Sequence, residues 1–309
     1  MKGLPRPPPS PLLSTLLALR GTHQNMEALF SKVRQRLGSR PRVQLLSDLH
    51  LEVGQQYTTF AFPVSAPFLL LAGDIGRLID YNGYLAFLEA QVASYSKVFL
   101  VLGNHEFYGL DYESGVREAQ RLAAEPCIAS GLVLLHRTRW DDPESNLTVL
   151  GCTLWSAIPD SATAVVESVV SDFKKITGWT AGQHTTVHTD EAAWLQEQVA
   201  QLRAEGEGGA TRRRLLIATH HAPCVEGTAR PDQVHNAWSS AFATDLVDQQ
   251  GWQGVDTWAF GHTHYSAQFT RNGIKLVANQ RGYVLPGGVQ RSQASRDGRA
   301  FDASLAVAV

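Results

Sequence analysis

The chain has 309 residues, 44% of them hydrophobic, and a formal net charge of −2. That is enough apolar material for one large α/β core or two modest ones, and no excess of positive charge marks it for nucleic acid or an anionic membrane. Three widely spaced cysteines, Cys127, Cys152 and Cys224, make no disulfide framework and fit a reducing, cytoplasmic setting; no apolar run reaches the roughly 18 residues of a membrane span.

Residues 1–38 read as an N-terminal extension. Pro5, Pro7, Pro8, Pro9 and Pro11 crowd its start and predict partial disorder. The apolar patch from Leu12 to Leu19 is short, begins behind prolines and lacks a small-x-small cleavage site, which argues against a secretory leader. Met26, Leu29, Phe30, Val33 and Leu37 recur at helical spacing and predict a helix over 26–37, ended by Gly38 and Pro41. A single catalytic domain is expected over 43–309.

Its first strand, Val43 to Leu46, delivers Ser47-Asp48-Leu49-His50-Leu51-Glu52. In extended chain Asp48 and His50 point to one side, where a carboxylate and an imidazole can hold one divalent cation. An ordinary turn is the alternative. The second strand, Phe68 to Ala72, is apolar throughout, as a strand buried on both faces should be. It ends in Gly73-Asp74, whose two carboxylate oxygens can bridge two cations. A helix with Leu85, Leu88, Val92 and Tyr95 on one face follows. The third strand, Val98 to Leu102, ends in Gly103-Asn104-His105-Glu106. In open α/β sheets ligands bind at the carboxyl ends of strands, so Asn104 and His105 should face a cleft. Tyr108 lines a substrate pocket there, or the core.

A helix is expected from Asp111 to Ala124, with Val116, Ala119 and Ala123 inward. Strands over 132–135 and 147–150 flank a polar turn at Asp141-Asp142-Pro143. Residues 156–188 are the least regular stretch. Pro159, Gly178, Gly182 and nearby threonines argue against a regular helix, and a cap over the cleft is expected. His184 and His188, four apart, would suit a zinc ion if that stretch were helical. Thr189 or Asp190 then opens a helix carrying Trp194, Leu195, Val199 and Leu202.

The strand Leu215 to Ala218 delivers Thr219-His220-His221. Ser239 or Ser240 is expected to cap a helix with Phe242, Ala243, Leu246 and Val247. The strand Thr257 to Phe260 delivers Gly261-His262-Thr263-His264. Asn272-Gly273 predicts a hairpin between 266–270 and 274–277. Asn279-Gln280-Arg281-Gly282-Tyr283 follows, then a loop over 287–299 and a closing strand over 304–309.

Five strand ends thus carry Asp-x-His, Gly-Asp, Gly-Asn-His-Glu, Thr-His-His and Gly-His-Thr-His, in that order. The set resembles the calcineurin-like metallophosphoesterase superfamily over about residues 43–283, and most of all its compact, single-domain bacterial members. The resemblance implies a four-layer α/β/β/α sandwich with two divalent metal ions, manganese, iron or zinc. It implies that one metal takes Asp48, His50, Asp74 and His264, and the other Asp74, Asn104, His220 and His262, with His220 preferred over His221. His105 matches the family's non-ligand histidine beside the scissile phosphate. Where the protein-phosphatase branch has an acid supporting that histidine, this chain has Arg77. The implied reaction is hydrolysis of phosphate monoesters or diesters by in-line attack of a metal-bridging hydroxide, with His105 acting on the leaving group. Arg281 is a candidate phosphate clamp or a salt-bridged surface residue. A small phosphorylated substrate is expected. A nuclease and an inactive scaffold of the same fold are the alternatives, the first disfavoured by the lack of a basic stripe and the second by the complete ligand set.

Overall fold

The computed structural model describes residues 40–209, 212–285 and 300–309. The expected N-terminal helix and the expected loop over 287–299 lie outside the described residues. Residues 41–309 form one compact unit.

Two sheets carry it. The first has the order β11-β1-β2-β3-β4, built from Arg42–Leu46 (β1), Phe68–Ala72 (β2), Lys97–Val101 (β3), Leu132–Leu135 (β4) and Ala306–Ala308 (β11). Strands β1 to β4 are parallel and β11 runs antiparallel to β1. The second sheet has the order β5-β6-β7-β8-β10-β9. It contains Thr138–Asp141 (β5), Leu147–Cys152 (β6), Arg214–Thr219 (β7), Thr257–Phe260 (β8), Ala267–Arg271 (β9) and Ile274–Ala278 (β10). Strands β6, β7, β8 and β10 are parallel, with antiparallel edges.

Alternation along the strands makes the layers. In β2, Phe68, Leu70 and Ala72 join a core with Val149, Leu216, Ala218, Ala259 and Val277 of the other sheet. Leu69 and Leu71 face the opposite way, against Tyr84, Phe87 and Leu88 of helix α1 (Tyr81–Val92) and Leu122 of α2 (Tyr112–Ala123). On the far side, Ile217, Trp258 and Phe260 pack on Leu195 and Val199. Side chains of period two with both faces covered explain why the strands read as unbroken apolar runs. The result is the expected α/β/β/α sandwich.

Three expectations need correction. Residues 181–207 form one helix, Ala181–Glu207, so neither the irregular stretch to 188 nor a helix start at Thr189 or Asp190 is found. Thr180 and Gln183 make a capping box that fixes its start. The threonines that spoke against a helix turn their hydroxyls onto backbone carbonyls, Thr186 to Gly182 and Thr189 to Thr185, both at 2.9 Å. Before it lie two short helices, Thr163–Val169 (α3) and Asp172–Lys175 (α4), and the long helix is α5. The helix expected from Ser239 or Ser240 is a single 3-10 turn, Ser239–Ala241. Beyond it the chain bonds to the segment after β7: Thr244 N–H donates to Ala222 O at 3.2 Å and Leu246 N–H to Pro223 O at 3.0 Å. Those tertiary bonds replace the intrahelical ones. Strand β5 was not anticipated; it pairs at an edge with β6.

Thr180→Ala removes the side-chain acceptor that opens α5. We expect a loss of about 1 kcal/mol, read as a lower urea midpoint with an unchanged slope. An unchanged midpoint would place the start of α5 elsewhere.

Candidate metal centre

Strands β1, β2 and β3 lie side by side in one sheet and β7 and β8 in the other. All five expected motifs therefore arrive at the carboxyl ends of neighbouring strands. The local backbone is not the extended chain that sequence spacing assumes. Asp48, His50, Asp74, His262 and His264 all have positive φ, at 52°, 47°, 53°, 72° and 51°. Asp48 and His50 do converge, but through two left-handed turns and not through strand periodicity.

Two groups of side chains meet there. Asp48, His50, Asp74 and His264 bring their ligand atoms within 4.8 Å of one another, and so do Asp74, His220 and His262. Asp74 belongs to both. In the first group His50 Nε2 is 2.9 Å from His264 Nε2, and His264 Nε2 is 3.5 Å from Asp48 Oδ1. In the second, His220 Nε2 is 3.4 Å from Asp74 Oδ1 and 3.0 Å from Asn104 Oδ1. His220 Nδ1 lies 2.9 Å from Ala72 O, a bond that puts its proton on Nδ1 and leaves the Nε2 lone pair facing the group. His221 does not reach Asp74. Both its nitrogens lack a partner, and its ring packs 4.0 Å from that of His262 and 5.2 Å from that of Trp155.

The donors fit a pair of divalent cations. His262 Nε2 is buried without a hydrogen-bond partner. Burial pushes His262 well down and, with the charge of His50, holds His264 at about 3, so both are neutral donors at neutral pH. Imidazole, carboxylate and amide without thiolate suit manganese, iron or zinc. Glycine makes the approach possible. A Cβ on Gly103 would stand 2.8 Å from His220 Nε2, and one on Gly261 2.7 Å from Asp48 Oδ2.

Several neighbours were not foreseen. Glu52 Oε1 lies 2.8 Å from His105 Nδ1 and 3.4 Å from His50 Nδ1. Burial works to raise the Glu52 carboxyl, but the hydrogen bonds to His105 and His50 prevail and hold it at about 2. Burial likewise opposes charge on His105, yet Asp74 and Glu52 raise its imidazole. Arg77 is turned away, paired with Asp80 at 3.1 Å. Tyr283 Oη is 3.0 Å from His105 Nε2, and its ring stacks on His50 at 4.2 Å. Asp172 of α4 accepts from Asn104 Nδ2 and from the Tyr108 hydroxyl, both at 2.7 Å. Tyr108 is buried, with its ring 4.2 Å from that of His105. Arg281 does not join the group: its guanidinium donates to Leu49 O at 3.0 Å and Gln56 Oε1 at 2.8 Å, over the ring of Phe60. His184 and His188 form no metal pair. His184 Nε2 accepts from Ser156 N–H at 3.0 Å, and His188 Nδ1 lies 2.8 Å from Leu154 O.

Glu106 underlies the whole arrangement. Its buried carboxylate accepts from the N–H groups of Asp74 (3.0 Å), Ile75 (2.9 Å) and Gly103 (2.7 Å) and from the Tyr84 hydroxyl (2.9 Å). It ties the turn after β2 to the turn after β3.

The family model for calcineurin-like phosphoesterases matches residues 41–266. The chain belongs to that family. With two metal-ligand clusters in this fold, it is a dinuclear-metal-dependent hydrolase of phosphoric esters. It is 27% identical over 260 residues to the uncharacterized protein L509 of Acanthamoeba polyphaga mimivirus, covering 78% of this chain and 91% of that one. It is similar in fold to a phosphopantetheinyl hydrolase from Mycobacterium tuberculosis, with a TM-score of 0.61 and 18% identity over 85% of this chain and 96% of the other. A dimetal phosphatase from Danio rerio matches with a TM-score of 0.44 and 15% identity, over 78% of this chain and 88% of the other. Among the described residues, no helix is long and apolar enough to cross a membrane.

Glu106→Leu takes the acceptor from four backbone N–H groups in the interior, those of Asp74, Ile75, Gly76 and Gly103, at about 1–3 kcal/mol each. We expect a strongly lowered melting temperature and loss of metal, with Glu106→Gln in between because an amide keeps one acceptor oxygen. Full metal content and a wild-type melting temperature in the leucine variant would show that the two turns hold without it.

Proposed function

We propose that the chain hydrolyses phosphate esters of small molecules, with Asp48, His50, Asp74 and His264 holding one metal and Asp74, Asn104, His220 and His262 the other. The observation that carries the reading is the sharing of Asp74 by two converging donor sets. Bound there, a pair of divalent cations supplies Lewis acidity toward the phosphoryl oxygens and an activated water. Manganese is the first metal to test. A cytoplasmic location is proposed on the unpaired state of Cys127, Cys152 and Cys224.

The remaining work falls to the chain's own residues. His105 delivers a proton to the leaving oxygen from Nε2. Glu52 fixes its Nδ1 proton and stabilises its charged form, the part that an acid at position 77 would otherwise take. Asp172 and Tyr108 hold the Asn104 amide so that its Oδ1 faces His220, and segment 156–188 caps the site through α4. Tyr108 is therefore a positioning residue, and Arg281 braces the loop after β10.

Manganese-loaded protein should hydrolyse aryl and alkyl phosphate monoesters or diesters, with no degradation of single-stranded DNA. Asp74→Asn should yield folded protein with little metal and little activity, because an amide does not bridge two cations. Two-metal occupancy with near-wild-type turnover would overturn the assignment of Asp74.

His105→Asn and Glu52→Gln should keep both metals. The histidine variant should lose about 10²–10⁴-fold on alkyl phosphates and much less on nitrophenyl phosphate, which needs no proton donor. The Glu52 variant should show the same bias to a smaller degree. Equal losses on both ester types would assign His105 to charge stabilisation, and loss of metal would assign it to the ligand shell.

A further inference from the structure

The chain after β7 builds a wall beside the metal centre that none of the motifs accounts for. Phe242 stacks on the His262 imidazole, with ring centres 4.6 Å apart and planes at 22°. Its other neighbours enclose a cavity of about 90 Å³ whose lining includes Val225, Val234, Trp238, Phe242, Ala243 and Thr263. Thr263 stands between His262 and His264 in the chain, and Thr263 and His264 are both partly exposed. The cavity and the metal centre therefore share a wall. Val225, Val234, Asn236, Ser239 and Ala243 also line a wider groove of about 740 Å³ that runs on to Ile158, Pro159 and Thr185.

The channel is apolar at its walls, and its groove carries a carboxylate, Asp245, which accepts from Val225 N–H at 2.8 Å. Its cation, Arg230, is bound to Asp232 through two hydrogen bonds of 3.1 and 2.8 Å. The imidazole of His235 is 2.9 Å from Glu226. No described lining residue thus offers an unpaired positive charge to a second phosphate. Apart from Arg230, the polar side chains lining the smaller cavity are amides and hydroxyls, among them Gln233, Asn236, Ser239 and Thr228.

We infer that this channel receives the organic group of the substrate, and that the preferred ester carries an elongated, largely apolar group without a second anionic charge. This rests on the ester-hydrolysing reading above. A phosphoryl group held at the metal centre would leave its organic substituent beside Thr263 and Phe242. Trp238 and Val225 then remove apolar surface from water, which is where selectivity between esters arises. An anionic substituent would lose its hydration without gaining a partner and would face Asp245.

The test compares octyl phosphate, 2-naphthyl phosphate, glycerol 3-phosphate and a nucleoside diphosphate with the manganese-loaded, full-length protein. The expected result is a lower KM for the octyl and naphthyl esters than for the other two. Trp238→Ala should raise KM for the two apolar esters about tenfold while metal content and KM for glycerol 3-phosphate stay as in the wild type. Should Trp238→Ala fail to fold, Val225→Thr, close to isosteric, should weaken the same two esters alone. Preference for the nucleoside diphosphate, equal KM values across the panel, or unchanged KM values for the octyl and naphthyl esters in folded variants overturns the inference. Failure of metal-loaded wild-type protein to hydrolyse any ester strikes the underlying reading instead.

Discussion

Asp48, His50, Asp74, His262 and His264 stand in left-handed backbone that costs about 1–3 kcal/mol at each residue other than glycine. The rest of the structure has to hold them there. Parallel pairing of β1 and β2 continues past the strands as bonds between the turns: Asp48 N–H to Gly73 O and His50 N–H to Asp74 O, both at 3.0 Å. Gly282 N–H to Asp48 O, also at 3.0 Å, braces the first turn from the segment after β10. Glu106 clamps the next pair of turns. The two sheets are joined at the same place, because His262 N–H donates to Asp48 Oδ1 at 3.0 Å and His220 Nδ1 bonds Ala72 O at 2.9 Å. The spacing of the donor atoms is therefore set by the apolar core between the sheets, where Leu70 and Ala72 meet Ala218 and Ala259. Core substitutions that change that spacing act on the metal centre without touching it.

What could be read from the sequence follows from this. Strands buried on both faces are uniform apolar runs, so their ends are visible, and polar residues at those ends gather into the two donor clusters. That regularity brings out the five strand-end motifs; the four-layer fold and the division of their residues into two ligand sets come from the resemblance to calcineurin-like metallophosphoesterases. The left-handed turns were not visible, because the enrichment of aspartate and histidine at positive φ is too weak a mark to place such a turn from sequence. Their conformation is imposed by bonds to other turns. Helix α5 was misjudged for a related reason: Gly182 and the threonines lower its intrinsic propensity, whereas the Thr180 cap and the buried contacts of His184, His188 and Glu191 outweigh it. The helix expected after Ser239 fails in the opposite direction, its apolar spacing serving contacts with Ala222 and Pro223.

Asp172, Glu52 and Tyr283 were missed because their roles are purely tertiary. Asp172 lies 68 positions from Asn104, in a segment with no motif. A buried carboxylate needs partners, and those at the end of β3 are the Asn104 amide and the Tyr108 hydroxyl. The segment over 156–188 is tied to the centre by this contact.

Glu52 shows how the centre manages without an acid at position 77. It follows Asp48 and His50 in the same turn, so the chain that supplies two donors also supplies the acid. One of its oxygens faces the Nδ1 atoms of both His50 and His105. Each imidazole then keeps its Nδ1 toward the carboxylate and its Nε2 toward the centre, His50 to the donors and His105 to the position now shared with the Tyr283 hydroxyl. A carboxyl held at about 2 is charged at neutral pH. It therefore fixes both ring orientations together. The ring orientation of a proposed ligand and that of the proposed proton donor are coupled through a single oxygen. Their relative placement depends on one turn of chain and not on two elements that could shift apart.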